Sequence, residues 1–201
     1  MSGSPTPPQT EERRAAPPAA LIVVGIHREE RDFGHEVALT LPADEAEVLE
    51  IPEGLSNHRP RPDERFRHEV LHQALYLQLL PQLKPAHRLL IDLHTGSDGN
   101  GPAADLLCAD PRLRAALNAA LGNAAEPCAA QVRVIPLGTP AGLRARTVIP
   151  ETVWNNPAFA YLGMEIYLPG TASGRQQGVD LARRLIRLAI RLSGALSDSS
   201  A

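Results

Sequence analysis

Four short stretches carry side chains able to do chemistry. The most conspicuous is His68-Glu69-Val70-Leu71-His72. Its two imidazoles are four residues apart with a carboxylate between them, the spacing of a zincin metalloprotease helix. A second stretch, Gly25-Ile26-His27-Arg28-Glu29-Glu30, sets an imidazole three residues before a carboxylate. A third, Asp92-Leu93-His94-Thr95-Gly96, pairs a carboxylate with an imidazole two residues on. The fourth is a lone carboxylate, Glu165, inside the apolar run Tyr161 to Leu168.

The zincin pattern meets three objections. On a helical wheel at about 100° per residue, Phe66, Val70, Leu71, Ala74, Leu75, Leu77 and Leu80 share one broad face. His68, Glu69, His72 and Tyr76 fall opposite, which predicts a solvated face. A downstream third ligand is also missing: there is no H-x-x-G-x-x-H, and no glutamate occurs between His72 and Glu126. Finally, the cationic neighbours Arg65 and Arg67 oppose binding of a dication. The expectation is a polar helix face, with a zincin protease using His68, Glu69 and His72 as an alternative.

The other three stretches each have an ordinary reading. His27 and Glu30 fit a charged loop, and Asp92 with His94 fits a structural hydrogen bond. Glu165 is harder to dismiss, because Leu162, Met164, Ile166 and Leu168 flank it and a buried carboxylate is costly without a partner or a polar cavity. Together they make a chemical kit. Two imidazoles and one carboxylate are the ligands of a catalytic zinc site that leaves a position open. Glu165 would be the separate base, and Asp92 would steady the His94 ring from behind.

The elements around these residues suit that use. Leu21 to Ile26, Glu47 to Ile51, Arg88 to Leu93, Asp105 to Cys108, Gln131 to Leu137 and Tyr161 to Leu168 read as strands. Helices are expected weakly over 29–41, and more firmly over 64–83, from Asp110-Pro111 to Leu121, and over 174–196. The alternation predicts one compact α/β domain over 20–196, with a mixed, mostly parallel sheet and helices on both faces. His27 and His94 then fall just past strand ends, where such sheets bind ligands. Residues 1–19, rich in Pro, Ala and charge, are expected to be a disordered tail, and 197–201 a second one. The segment 138–157 is expected to be loop, with arginines near a cleft.

Bulk composition excludes other classes. The net charge is −3, with 20 basic and 23 acidic residues, and aromatics make up 3%. With no basic tract flanked by aromatics, nucleic acid is not an expected partner. No apolar run reaches the roughly 18 residues of a membrane span, and the N-terminus lacks the pattern of a secretion signal. Cys108 and Cys128 define no disulfide framework and read as cytoplasmic thiols. The oligomeric state is left open.

G-x-H-x-x-E, then D-x-H, then a glutamate in a late strand resembles the zinc carboxypeptidase superfamily, and within it the succinylglutamate desuccinylase/aspartoacylase branch. The resemblance spans roughly residues 20 to 195. It implies His27, Glu30 and His94 as ligands of one zinc ion and Glu165 as general base and acid. Two departures stand out. Arg28-Glu29 occupies the place of the family's Gly-Asn. The Asn-Arg pair that grips substrate is replaced by Ser56-Asn57-His58-Arg59-Pro60-Arg61-Pro62, followed by Arg65. Arginine suits a carboxylate because its planar fork binds it twice, so Arg59, Arg61 and Arg65 are the candidates. There is no room after the last helix for the β-rich extension of aspartoacylase-like members. The expected activity is zinc-dependent hydrolysis of an amide in a small, carboxylate-bearing N-acyl amino acid or short peptide. The alternative is a non-catalytic relative that binds a small carboxylate or a metal.

Overall fold

β1 (Ala20–Val24) is apolar at all five positions and buried at all five, as a strand covered on both faces must be. It lies between β2 (Glu47–Glu50) and β3 (Leu89–Ser97), parallel to each. In this computed structural model, which describes residues 17–122, 131–138 and 147–198, one six-stranded sheet runs β2-β1-β3-β6-β4-β5. β6 (Ala160–Leu168) is parallel to β3 and antiparallel to β4 (Ala103–Cys108), which is parallel to β5 (Val132–Pro136). The sheet is therefore mixed and mostly parallel.

Strand alternation sorts side chains into two cores. One face presents Ile22, Val24, Ile91, Leu93, Leu162, Met164 and Ile166. It is covered by α1 (Arg31–Ala38), α3 (Pro111–Gly122) and α5 (Ala172–Asp198). α5 supplies Val179, Ala182, Leu185, Ile186 and Ala189, at helical spacing. The other face presents Leu21, Val23, Leu90 and Tyr161. It is covered more thinly by α2 (Arg65–Leu77) and the one-turn α4 (Glu151–Trp154), through Tyr76, Val153 and Trp154. No described helix is long and apolar enough to cross a membrane.

The expected elements are present, with four differences in where elements run. β3 continues through His94, Thr95 and Gly96, which the sequence placed in a closing loop. α2 stops at Leu77, and a 3-10 turn, Leu80–Gln82, follows; Pro81 lacks the amide that would extend the helix. A helical turn, α4, interrupts the expected loop over 138–157. α5 runs to Asp198, past the expected helix end at 196. Of the expected N-terminal tail, residues 1–16 lie outside the described residues, as do 199–201 and the arginines Arg144 and Arg146. Cys108 is free and buried; Cys128 lies outside the described residues.

The largest difference is the orientation of α2. The wheel predicted its apolar face inward and its histidines in solvent. The structure has the reverse. His72 and Tyr76 are 4% and 3% exposed, while Phe66 is 81% exposed and Val70, Leu71 and Leu77 are exposed too. The wheel kept His72 and Tyr76 together, but Glu69 is exposed while Leu75 and Leu80 pack against the core; the buried polar partners on the sheet meet the His72–Tyr76 edge.

Candidate metal centre

The site forms at the end of β1, where β3 and β6 run on beside each other to Ser97 and Leu168. After β1, Gly25 adopts φ +82°, and a Cβ there would also meet the Ile51 carbonyl at 2.8 Å. This turn brings His27 over the sheet edge. The Leu55 amide donates to the Ile26 carbonyl at 2.8 Å, and the Arg28 amide donates to the Leu55 carbonyl at 2.9 Å. Those bonds hold the His27 segment against the loop that follows β2. Glu30 enters as the residue capping α1 and is buried.

His94 stands on β3 beside Glu165 on β6, in direct register. The apolar neighbours of Glu165 in sequence, Leu162, Met164 and Ile166, point to the opposite face. Glu165 instead lines a cleft of about 440 Å³ with His27, His72, Tyr76 and His94. Gly96 makes room for it, since a Cβ at that position would lie 3.0 Å from Glu165 Oε1 and 2.7 Å from the Tyr167 ring.

The structure brings His27, Glu30 and His94 together, with one ligand atom from each lying within 4.8 Å of the others. The Glu30 carboxylate sits between the two rings, with Oε1 2.9 Å from His27 Nδ1 and Oε2 2.9 Å from His94 Nδ1. Their outer nitrogens have other partners. His94 Nε2 is 3.0 Å from Asp92 Oδ1, an ion-pair contact without hydrogen-bond geometry, and 3.3 Å from the Tyr76 hydroxyl, which donates to Asp92 and so accepts from Nε2–H; its proton belongs on Nε2. His27 Nε2 lies 3.3 Å from His72 Nε2. With a cation bound, the neutral tautomers these partners select would turn both Nδ1 lone pairs toward it, beside the Glu30 carboxylate. Three donors converging in this way fit a cation. Tetrahedral zinc with bonds of about 2.0–2.1 Å sets its ligand atoms roughly 3.3 Å apart; each Glu30–imidazole contact is a few tenths from that, and the three ligand atoms lie within 4.8 Å of one another. Among the described residues this is the single His/Cys/Asp/Glu group with such convergence.

Electrostatics follow from burial. Burial raises the Glu30 carboxyl, but hydrogen bonds to His27 and His94 outweigh it and hold it at about 2. Burial lowers the His94 imidazole, yet the charge of Asp92 and the close contacts with Asp92 and Glu30 hold it well above its usual range. Glu165 has the opposite balance. Burial pushes it up to about 7, with His94 opposing and Glu30 reinforcing the rise. A carboxyl poised near neutrality is suited to taking and returning a proton.

Asp92 is fully buried. Its Oδ2 accepts from Tyr76 and Tyr161 hydroxyls, each at 2.7 Å. Tyr76 comes from α2 and Tyr161 from β6, so this carboxylate ties helix to sheet behind His94. Neither tyrosine was anticipated from sequence. The i, i+4, i+8 spacing of His68, His72 and Tyr76 was the available signal, and it was read as a solvent stripe.

The two departures in sequence prove to be linked. Glu29 accepts from Ser56 Oγ at 3.0 Å and from the Asn57 amide at 3.1 Å. It pins the loop that carries the candidate arginines. Arg59 lines the cleft with His27, His94 and Glu165, alongside Asn57 and His58. Arg61 and Arg65 do not line it. Arg61 is turned to the start of α2, where its amide donates to Glu64 at 3.0 Å.

Of the zincin triplet, Glu69 is exposed, and His72 Nδ1 is committed to the His68 carbonyl at 2.8 Å. The three do not converge as ligands.

No family model matches the chain, and no curated protein does. Solved structures with a similar chain path include murine aminoacylase 3, at 16% identity and TM-score 0.47, covering 92% of this chain and 67% of that one. Another is a bacteriophage poly-gamma-glutamate hydrolase, at 13% identity and TM-score 0.44, covering 94% of this chain and 88% of that one. A third is the N-acetylmuramyl-L-alanine amidase Ami1 from Mycobacterium smegmatis, at 14% identity and TM-score 0.40, covering 90% and 99%. Likeness at this level transfers no residue roles, which rest here on the site's own atoms.

Proposed function

We propose that this protein is a zinc-dependent hydrolase of an amide bond in a small, acidic N-acyl amino acid or short peptide. The observation that carries this reading is the Glu30 carboxylate, held 2.9 Å from both His27 Nδ1 and His94 Nδ1, with Glu165 beside His94 in the same cleft. The motif resemblance to the succinylglutamate desuccinylase/aspartoacylase branch points the same way.

His27, Glu30 and His94 would hold the zinc. When bound, zinc supplies a Lewis acid for the amide carbonyl and a lowered pKa for the attacking water. Glu165 receives the proton of that water and returns it to the leaving amine. Asp92 would keep the His94 ring turned to the centre through its charge 3.0 Å from Nε2 and through Tyr76, which bonds both groups. Arg59, which lines the cleft, would bind a substrate carboxylate in two-pronged fashion. Among the described residues lining the cleft Glu165 is the only acidic one, and His58, Arg59 and His68 also line it. That lining favours an anionic substrate.

The test is zinc content together with turnover on a panel of N-acyl amino acids and short acidic peptides. The expected result is one zinc per chain in the wild type and in Glu165→Gln, with turnover falling about 10²–10⁴-fold in that variant. His27→Ala combined with His94→Ala should lose the metal. Full zinc in that double variant sinks the ligand assignment. Bound zinc with no turnover on any substrate favours a binding protein instead.

A further inference from the structure

We propose that His72 is a positioning residue of the metal centre: its Nε2 accepts a hydrogen bond from His27 Nε2–H and so fixes the ring and tautomer of that ligand. The proposal rests on His27, Glu30 and His94 being the metal ligands.

The argument is one of proton placement. His72 Nδ1 lies 2.8 Å from the His68 carbonyl oxygen. A carbonyl only accepts, so Nδ1 carries the proton and Nε2 of the neutral ring carries the lone pair. That Nε2 lies 3.3 Å from His27 Nε2. The proton between them therefore belongs to His27, so in the neutral ring of the metal-loaded site Nδ1, 2.9 Å from Glu30, is the nitrogen left to ligate. Because His72 is 4% exposed, water competes poorly for either nitrogen.

The two ligand rings are thus held from behind by different chemistry. His94 is held by the buried carboxylate of Asp92 at 3.0 Å, and His27 by a neutral imidazole. Glu30 and Asp92 together bring two negative charges, which balance a dication. A carboxylate in place of His72 would add a third negative charge close to Glu165. A neutral acceptor orients His27 without that repulsion.

Helix geometry joins the two supports. His72 and Tyr76 are one turn apart on α2, and the Tyr76 hydroxyl donates to Asp92 at 2.7 Å while lying 3.3 Å from His94 Nε2. One face of one helix steadies both imidazole ligands, one directly and one through Asp92. This is why α2 turns its polar stripe inward and leaves Phe66, Val70 and Leu77 in solvent. The HEVLH pattern belongs to the metal centre after all, as support for a ligand.

The experiment is competition for zinc between a chelator and the metal-stripped full chain, for the wild type, His72→Ala and His72→Gln. Loss of an outer partner of a histidine ligand typically weakens metal binding about 10–100-fold. We expect that loss in His72→Ala, with the stoichiometry still one zinc per chain. The Gln side chain offers a carbonyl acceptor and should recover most of the affinity. A slowly exchanging His27 Nε2–H proton, seen by NMR in the zinc-loaded wild type, should be present in His72→Gln and absent in His72→Ala. Affinity in His72→Ala within threefold of wild type overturns the proposal, as does His72→Gln as weak as His72→Ala. A falling stoichiometry in His72→Ala also overturns it, because His72 would then be a ligand. Unaltered zinc binding in His27→Ala removes the ligand reading itself, and the proposal with it.

Discussion

Replacing Glu165 with Gln should make the metal-stripped protein more stable at alkaline pH, although it removes the proposed catalytic base. Burial holds the folded-state carboxyl at about 7, against 4.5 for an ordinary glutamate. A carboxyl whose pKa is higher in the folded than in the unfolded protein binds its proton more tightly when folded. Its contribution is therefore fully present below about 4.5 and is lost as pH rises through about 7. At 1.36 kcal/mol per pKa unit, ionising it in place costs about 3 kcal/mol above that range. Glutamine carries no such cost, so the variant should gain about 2–3 kcal/mol over the wild type between pH 4.5 and pH 8.5. For a domain of this size that corresponds to roughly 4–12 °C in Tm. Urea unfolding of both chains, stripped of metal, at several pH values reads the difference directly. Adding zinc should shrink it, because a dication beside the carboxylate stabilises the ionised form. A stability difference that stays flat from pH 4.5 to 8.5, or that favours the wild type increasingly, refutes the account of a desolvated base.

Three further outcomes follow from particular contacts. Tyr76→Phe removes one of two hydroxyls bonded to the buried Asp92 carboxylate and should cost about 1.5–3 kcal/mol in denaturant unfolding; a loss under 0.5 kcal/mol would show that the bond does not anchor α2. Glu29→Ala frees the Ser56-Asn57 loop and should raise KM about fivefold, the equivalent of one ordinary hydrogen bond, with zinc content unchanged; a loss of zinc instead would place Glu29 in the metal site. Phe66→Ser with Leu77→Ser alters exposed side chains and should change stability by no more than about 0.5 kcal/mol per site. A loss of several kcal/mol, as for a truncated core phenylalanine, would restore the wheel's original orientation of α2.

Much of the site was legible in the linear chain because its residues sit where an α/β sheet exposes them. The run Leu21 to Ile26 announces a strand covered on both sides, so His27 follows as a strand-end residue. The run Arg88 to Leu93 suggested the same for His94, but β3 continues to Ser97 and His94 stands within it, just past the end of β1. Glu165 stood out as a charge in an apolar run, but the reason given was incomplete. Period-two alternation sends Leu162, Met164 and Ile166 to the other face, and Glu165 is desolvated by the cleft instead. The arginine question was open because three arginines in one loop are equivalent in sequence. Only the path of the loop, pinned by Glu29, puts Arg59 on the cleft.

By itself the sequence determined which residues share a strand face or a helix face, because those periodicities are local properties of the backbone. It determined the fold class and the set of histidines and carboxylates available. The tertiary structure alone decided which face of α2 is buried. A hydrophobic-moment argument assumes that the apolar stripe gains most from burial. Here Asp92 waits on the sheet as a buried carboxylate in need of donors, and His27 as a ring in need of an acceptor. Buried groups of that kind are costly to leave without partners. Tyr76 and His72 satisfy them, while Phe66, Val70 and Leu77 stay in water.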